Sequence, residues 1–573
     1  MNWYEVIAGL FIRVSSFYVF GISTVPEVIQ GVSEQNDSNN MFVDEHTSNS
    51  INKTTECPLW FLYNSVTKQC ECGDELHGIV HCDHEIKRVY IIDCYCMTHD
   101  NHVGTVVGSC STNCEVKKSN TSFGSYSLLP SNIAQLNKAM CGQRWNRSGR
   151  FCGKCEDDYY QSVYSYDFGC MKCTDSELRL NWMKYVTFAF VPLTVFYVLL
   201  LVCRINAGHP IDGSVISAQY YASPANVRIV LTAVTTIPKA APFIHIVATL
   251  YGVWNLDFFR TVVPSTCLKI NTLQALTLDY TIAFYPLFLV IISYILIELH
   301  DNGCLLIVYI WKPVSKCFRM LNSSIDIKSS VINSFSTFLL LSYIKVLSVT
   351  FDLLVPVWAH DARGNHVGTY LYYDANVVYM GKKHLPYAVL ALFVMITFII
   401  LPILFLIAYP FQCCKFLWKW PALRICVDTY QGYYKDGTSG TSDCRWFSCV
   451  YLIVRIFLFV VFSFVKNSYF YLFAALGCLV VAVLLVAVQP FKRKLSTYNK
   501  VHPLLTLNMA VWFITVICID MSSLESVHTK TFSVIISGFT AVIPLVYASV
   551  LVLQWIYVTL CRCFQFRNYT IGP

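Results

Sequence analysis

The sequence predicts an all-α polytopic membrane protein of about nine transmembrane helices, carrying a small disulfide-rich extracellular domain. Three observations predict it. Hydrophobic residues make up 55% of the 573-residue chain and charged residues only 13%, with a mean hydropathy of +0.50; a soluble domain carries about 25% charged residues. The apolar excess lies in blocks of about twenty residues beyond position 181, the length a helix needs to cross a hydrocarbon core of roughly 30 Å. Thirteen of the 26 cysteines precede the first block, at Cys57, Cys70, Cys72, Cys82, Cys94, Cys96, Cys110, Cys114, Cys141, Cys152, Cys155, Cys170 and Cys173. Such density belongs to outer folds that lack a large core and rely on disulfides.

Residues 1–23 read as a signal peptide. "VIAGLF" and "VSSFYVFGIS" supply an apolar stretch, and Gly21 and Ser23 are small residues before a cleavage point. Glu5 stands where positive charge is expected, and Arg13 interrupts the run. Residues 24–56 are polar, cysteine-free and rich in Ser, Asn and Thr, so they form a flexible stalk. Residues 57–181 are the cysteine-rich region, irregular at first and better defined over 141–173. Four N-x-S/T sequons, at Asn36, Asn52, Asn120 and Asn146, fall in these two segments and are glycosylation candidates. Their coincidence with the cysteines places this part of the chain outside.

The membrane domain, 182–560, divides into apolar runs at Trp182–Cys203, Asn226–Trp254, Leu273–Leu299, Val331–Leu354, Leu385–Phe411, Phe447–Val465, Tyr469–Gln489, Pro503–Asp520 and Thr531–Leu560. An odd number puts the tail, 561–573, in the cytosol. The loops then hold sixteen Lys and Arg on the inner side against seven on the outer. That bias is the positive-inside pattern, and it explains the net charge of +7 without nucleic acid. The second run holds Pro238, Lys239 and Pro242 near its centre, which predicts a kinked or broken helix.

Two CxxC pairs, "CGKC" and "CMKC", stand just before the first run and could supply four thiolates to a zinc ion. The compartment favours disulfides instead, with Cys141, Cys152, Cys155, Cys170 and Cys173 as candidates. Thirteen is odd, and Cys267 is the one cysteine in a later outer loop. Cys267 is therefore expected to partner an ectodomain cysteine and clamp the module onto the membrane domain; a free thiol or an intermolecular bridge is the alternative.

Five ionisable residues fall inside predicted spans: Lys239, Asp279, Lys345, Asp352 and Arg455. A charge at the bilayer centre costs about 2.5–3.5 kcal/mol on the mildest scale, so each should face the bundle interior and meet a partner. Static ion pairs and a water-filled path are both consistent with that. Lys345 and Asp352 share a helix face but lie about 10 Å apart along the axis, too far to pair with each other. The basic stretch over 492–500 could hold anionic lipid. Cys413, Cys414, Cys561 and Cys563 sit at inner span ends as palmitoylation candidates. No catalytic signature and no histidine cluster at metal spacing is present, so no enzyme activity, metal or cofactor is predicted.

The stretch "CGQRWNRSGRFCGKC" through "CMKC" opens a wider pattern. It continues in "ATLYGVWNLDFFR", "LLLSYIKVLSVTFDLLVP", "YLYYDANVVYMGKKHLPYAVLA" and "DTYQGYYKDGTSGTSDCRWF". From about Cys141 onward the chain resembles a group of multi-pass surface proteins of early-diverging animals. These join an EGF-like or ephrin-receptor-like cysteine module to a membrane domain loosely similar to that of TRP-type channels. The resemblance implies an EGF-like module over 141–173 and a plasma-membrane location, and carries no activity. "MSSLESVHTK", before the last run, is too short for a pore helix plus selectivity filter. The expected function is therefore a receptor-like or adhesion-like surface protein whose ectodomain binds an extracellular ligand or acts structurally. An ion channel or transporter lined by the buried charges is the alternative, and a seven-span G-protein-coupled receptor a further one.

Overall fold

In the computed structural model, the described residues are 60–64, 66–67, 69–72, 80–83, 88–92, 95–100, 104–109, 123–126, 147–148, 150–156, 158–163, 170–207, 266–303, 327–409, 419–464, 469–493 and 496–521. All belong to one unit, Glu56–Pro573. The predicted signal peptide, the stalk, the C-terminal tail and the second and ninth apolar runs lie outside the described residues. So do the four sequons, Cys141, Lys239 and the four palmitoylation candidates.

The membrane part is helical. Its elements are α1 Asp175–Ala207, α2 Thr272–Asp301, α3 Ile327–Leu354, α4 Leu385–Val394, α5 Leu401–Ala408, α6 Pro421–Gln431, α7 Phe447–Phe464, α8 Tyr469–Val488 and α9 Ser496–Met521. Among the described residues, four helices are long and apolar enough to cross a membrane: Thr272–Asp301, Lys328–Leu354, Leu385–Ala408 and Tyr471–Val488. Phe447–Val461 is a shorter apolar helix. The predicted runs at Trp182–Cys203 and Pro503–Asp520 are also helical, within α1 and α9.

Local chemistry sets several boundaries. Asn271 opens α2 with a capping box: its side chain accepts from the Gln274 amide at 2.8 Å, and the Gln274 side chain accepts from the Asn271 amide at 3.1 Å. A π-helical turn, Met395–Ile400, joins α4 to α5, just ahead of Pro402. Proline lacks the donor that a continuous α-helix needs, and the wider turn keeps the rod unbroken. The outer stripe of this rod, Leu385, Val389, Phe393, Ile396, Ile400 and Leu404, is exposed at helical spacing. Exposed aliphatic and aromatic side chains of that kind are compatible with a lipid bilayer.

α3 is the central helix. It is buried along most of its length and packs on α1, α2, α4, α6 and α7. Its serines and threonines explain the tight fit: the Ser334, Thr337 and Thr350 hydroxyls donate back to carbonyls four residues earlier, which satisfies these three hydroxyls within the helix. Small residues also let neighbouring backbones approach, and the Ser342 hydroxyl donates across to the Ala283 carbonyl of α2 at 2.7 Å. One core gathers α3 to α9 with the N-terminal half of α2, and a second joins α1, α2 and α3 around Tyr185, Leu193, Tyr197, Leu287 and Phe338.

The cysteine-rich segment is built of short antiparallel strands. Those before α1 are β1 Phe61–Asn64, β2 Gln69–Cys72, β3 Val80–Asp83, β4 Arg88–Ile92, β5 Tyr95–Asp100, β6 Gly104–Ser109, β7 Phe123–Tyr126, β8 Arg147–Ser148, β9 Lys154–Cys155, β10 Tyr159–Val163 and β11 Cys170–Lys172. Four more follow: β12 Thr266–Cys267 before α2, and β13 Pro356–Asp361, β14 His366–Leu371 and β15 Asp374–Val378 between α3 and α4. Two sheets mix both groups, in the orders β11-β10-β12 and β15-β14-β13-β6-β5. A boundary at residue 181 therefore runs through shared sheets, and the domains read from the sequence as 57–181 and 182–560 are joined by strand pairing.

Candidate functional site

The junction between the cysteine-rich segment and the helices concentrates the chemistry the sequence singled out. Cys155 of β9 bonds Cys170 of β11. Cys173 bonds Cys267. Cys152 is disulfide-bonded as well. All four thiols of the two CxxC pairs are thus oxidised, and a zinc ion has no thiolate left to take there. Cys173 lies two residues before α1 and Cys267 five before α2, so the second bond staples two helix N-termini together.

Three further contacts surround that staple. Ser162 of β10 stands in register with Cys267 of β12. Asp175, at the first turn of α1, pairs with Lys269. The Lys269 ammonium also lies 5.8 Å from the Tyr160 ring centre. Below it, α1 and α2 run parallel, with hydroxyl contacts down the seam: Tyr185 with Thr281 at 3.3 Å, Thr194 with Tyr285 at 2.9 Å and Tyr197 with Ser293 at 2.6 Å. A displacement at the staple therefore bears on both helices at once.

A second attachment was not foreseen. Strand β13 pairs with β6 through His360 and Val107, and Asp361 and Val106, extending the three-stranded sheet between α3 and α4 into the cysteine-rich segment. Phe151 locks the two together. It is buried, its ring meets Tyr370 of β14 edge-on at 6.5 Å, and a Cβ on Gly108 would sit 2.7 Å from that ring. The Arg150 guanidinium lies 4.3 Å over the same tyrosine, and the Arg150 amide donates to Asn376 Oδ1 at 3.4 Å. Phe151 and Cys152 hold φ of 49° and 58°, a left-handed pair that costs non-glycine residues roughly 1–2 kcal/mol each. The fit around Phe151 has to offset that strain.

The signal for this sheet was in the sequence. "PVWAHDARGNHVGTYLYYDANVV" carries β-branched and aromatic residues around an Asp-Ala-Arg-Gly-Asn turn. The Asp361 carboxylate accepts from the amides of Arg363 and Asn365, and Gly364 takes φ 76°. Reading 355–384 as an outer loop with Arg363, Lys382 and Lys383 overlooked it.

Among the predicted intramembrane charges, the structure brings together Lys345 and Asp279. Their ammonium and carboxylate are 3.1 Å apart, and both side chains are buried. Asp352 accepts from the Tyr373 hydroxyl at 2.8 Å and from Ser348 at 3.4 Å. Tyr373 belongs to the turn between β14 and β15, so this carboxylate ties the sheet to α3. Arg455 is fully buried on α7, and its charge acts on Tyr343 of α3 and Tyr434.

At the opposite end of the bundle lies a cavity of about 310 Å³, lined by Tyr409, Arg424, Asp428, Gln431, Gly432, Asp436, Arg445 and Lys492. The segment 432–446 is held against the α8–α9 turn there: the Lys435 amide donates to the Pro490 carbonyl and the Lys492 amide to the Tyr433 carbonyl. The Asn499 side chain grips both backbone groups of Phe491. Arg445 bonds Asp443 through Nε and Nη2, and Lys492 meets Asp436 at 3.2 Å. Hydrogen bonds from the Thr438 side chain and amide, with Lys492 beside them, hold the Asp436 carboxyl well below the usual carboxylate range. Among the described residues of 492–500, Lys492 is the one that lines this cavity.

Comparison with protein-family models, with curated proteins and with solved structures gives no match.

Proposed function

We propose that the protein is a receptor-like surface protein in which the cysteine-rich segment takes an outer ligand and passes the resulting displacement to the membrane helices. One observation carries this reading: the segment is attached twice, covalently at the outer ends of α1 and α2 and by sheet extension to the α3–α4 connection. A passive domain on a stalk needs neither attachment. The resemblance to multi-pass surface proteins with EGF-like modules supports the same view. Pairing of Lys345 with Asp279, and of Asp352 with Tyr373, favours fixed contacts over a charged conduction path.

The test is solute and ion flux through vesicles that contain the full chain. The expected result is flux equal to that of empty vesicles. A flux abolished by Lys345→Ala or Asp352→Ala would establish the channel or transporter reading instead. In parallel, reduction of the Cys173–Cys267 bond should raise deuterium exchange at the first turns of both α1 and α2; unchanged exchange there removes the mechanical link.

A further inference from the structure

The cavity at the far end of the bundle plays no part in that reading, and its lining is specific. Arg424, Arg445 and Lys492 stand among Asp428 and Asp436, with Asp443 bound to Arg445. Three bases and three acids balance. A polyanion would meet the carboxylates and a bare cation the bases, whereas a ligand bearing one charge of each sign finds partners for both. Gln431 adds a further requirement. It is 2% exposed on the cavity wall, its amide nitrogen donates to the Leu406 carbonyl at 2.8 Å, and its Oε1 finds no donor among the described residues. A buried acceptor left in that state costs about 1–3 kcal/mol, which a ligand N–H in the cavity would recover.

Position narrows the class. Tyr409 directly follows the 385–408 rod, Lys492 stands four residues past α8, and exposed Trp420 precedes the short helix that carries Arg424. Aromatic and basic residues at span ends mark the headgroup level of a bilayer. A space of about 310 Å³ admits a headgroup without an acyl chain.

We propose that this cavity binds the headgroup of an aminophospholipid, with the phosphodiester among Arg424, Arg445 and Lys492 and the primary ammonium on Asp428, Asp436 and Gln431 Oε1. A choline headgroup has no N–H to give Gln431 and is excluded on that ground. Soluble phosphoethanolamine carries the same pair of charges, so the test separates the two sources.

The test uses the full chain, stripped of lipid in detergent, with native mass spectrometry and thermal melting as readouts. Phosphatidylethanolamine should remain bound and raise the melting temperature, phosphatidylcholine should do neither, and phosphatidylglycerol should be held more weakly. Arg424→Gln, at an exposed side chain, should weaken retention about tenfold, as should Lys492→Gln, in line with about 1.4 kcal/mol for one charge-assisted contact. Soluble phosphoethanolamine that competes at equal concentration supports the site and assigns its occupant to the soluble pool. Equal retention of the choline lipid overturns the proposal. So does preference for phosphatidylglycerol that survives Arg424→Gln, because the basic run alone would then account for binding. The outcome is separable from the flux test, since neither variant touches Lys345, Asp352 or the disulfides.

Discussion

A lysine inside an apolar helix is tolerated only with a partner, and Lys345 shows what that partner has to be. Asp279 supplies the carboxylate from the adjacent helix at 3.1 Å, and both side chains are buried. Replacing one member alone leaves an uncompensated buried charge, at a cost of about 3–5 kcal/mol, whereas replacing both with apolar residues of similar volume is close to neutral. Lys345→Met should therefore lower the melting temperature of the detergent-purified chain sharply, and Lys345→Met with Asp279→Leu should restore most of it. If the double variant melts as low as the single one, the pair does more than satisfy its own charges. Asp436 offers a pH-dependent counterpart outside the bilayer. Its carboxyl is depressed in the folded chain, so its contribution is complete above the unfolded carboxylate value of about 3.9 and is lost as pH falls toward the lower folded value. Exchange at the Thr438 amide, corrected for intrinsic rate, should stay flat from pH 8 to 5 and rise only below pH 4. Asp436→Ala, which leaves the Thr438 amide no side-chain acceptor, should exchange fast throughout.

At the scale of elements, the junction depends on a few residues whose shape matters more than their chemistry. Phe151 fills a slot floored by Gly108 and walled by Tyr370, and Gly153 approaches so near that a Cβ would lie 2.4 Å from the Ala375 backbone nitrogen. Truncating a buried phenylalanine typically costs about 3–5 kcal/mol. Phe151→Ala should release β5 and β6 from β13, seen as faster exchange at Val106 and Val107, while α3 and α7 keep their protection. Gly108→Ala should act in the same direction by displacing the ring; normal protection in both variants would show that strand pairing alone holds the sheet. This junction was half legible in the sequence. Helices at seven of the nine apolar runs follow from length and hydropathy, and the expectation that Cys267 would find an ectodomain partner came from parity and compartment. The hairpin strands β13 to β15 left a signal in the sequence, but the pairing of β13 with β6 was not legible, because those two strands lie some 250 residues apart and two-residue alternation does not say which distant strand completes a sheet. The cavity at the other end was hidden for the same reason: Arg424 of α6, Asp436 of the α6–α7 turn and Lys492 of the α8–α9 turn come together only in the fold, and only the basic run over 492–500 stood out.

At the scale of the whole molecule, the two ends of the bundle differ in chemistry, and the proposed topology assigns each to one solution. One end carries the disulfides, the shared sheets and the connection between α3 and α4; the other carries the paired-charge cavity. The 24-residue rod Leu385–Ala408, about 36 Å long, runs from His384 at the first end to Tyr409 at the second. On the proposed topology, Lys382 and Lys383, just ahead of the rod, face the compartment in which disulfides form, and Lys435 and Lys492 the reducing side, in keeping with the excess of basic residues expected there. An amine reagent that cannot cross membranes, applied to intact cells, should label Lys382 and Lys383 and leave Lys435 and Lys492 untouched until the membrane is permeabilised. The reverse pattern would put the cavity outside, where neither its headgroup ligand nor the positive-inside bias has a reason to be. Equal labelling of both pairs in intact cells would mean that Leu385–Ala408 does not span the bilayer.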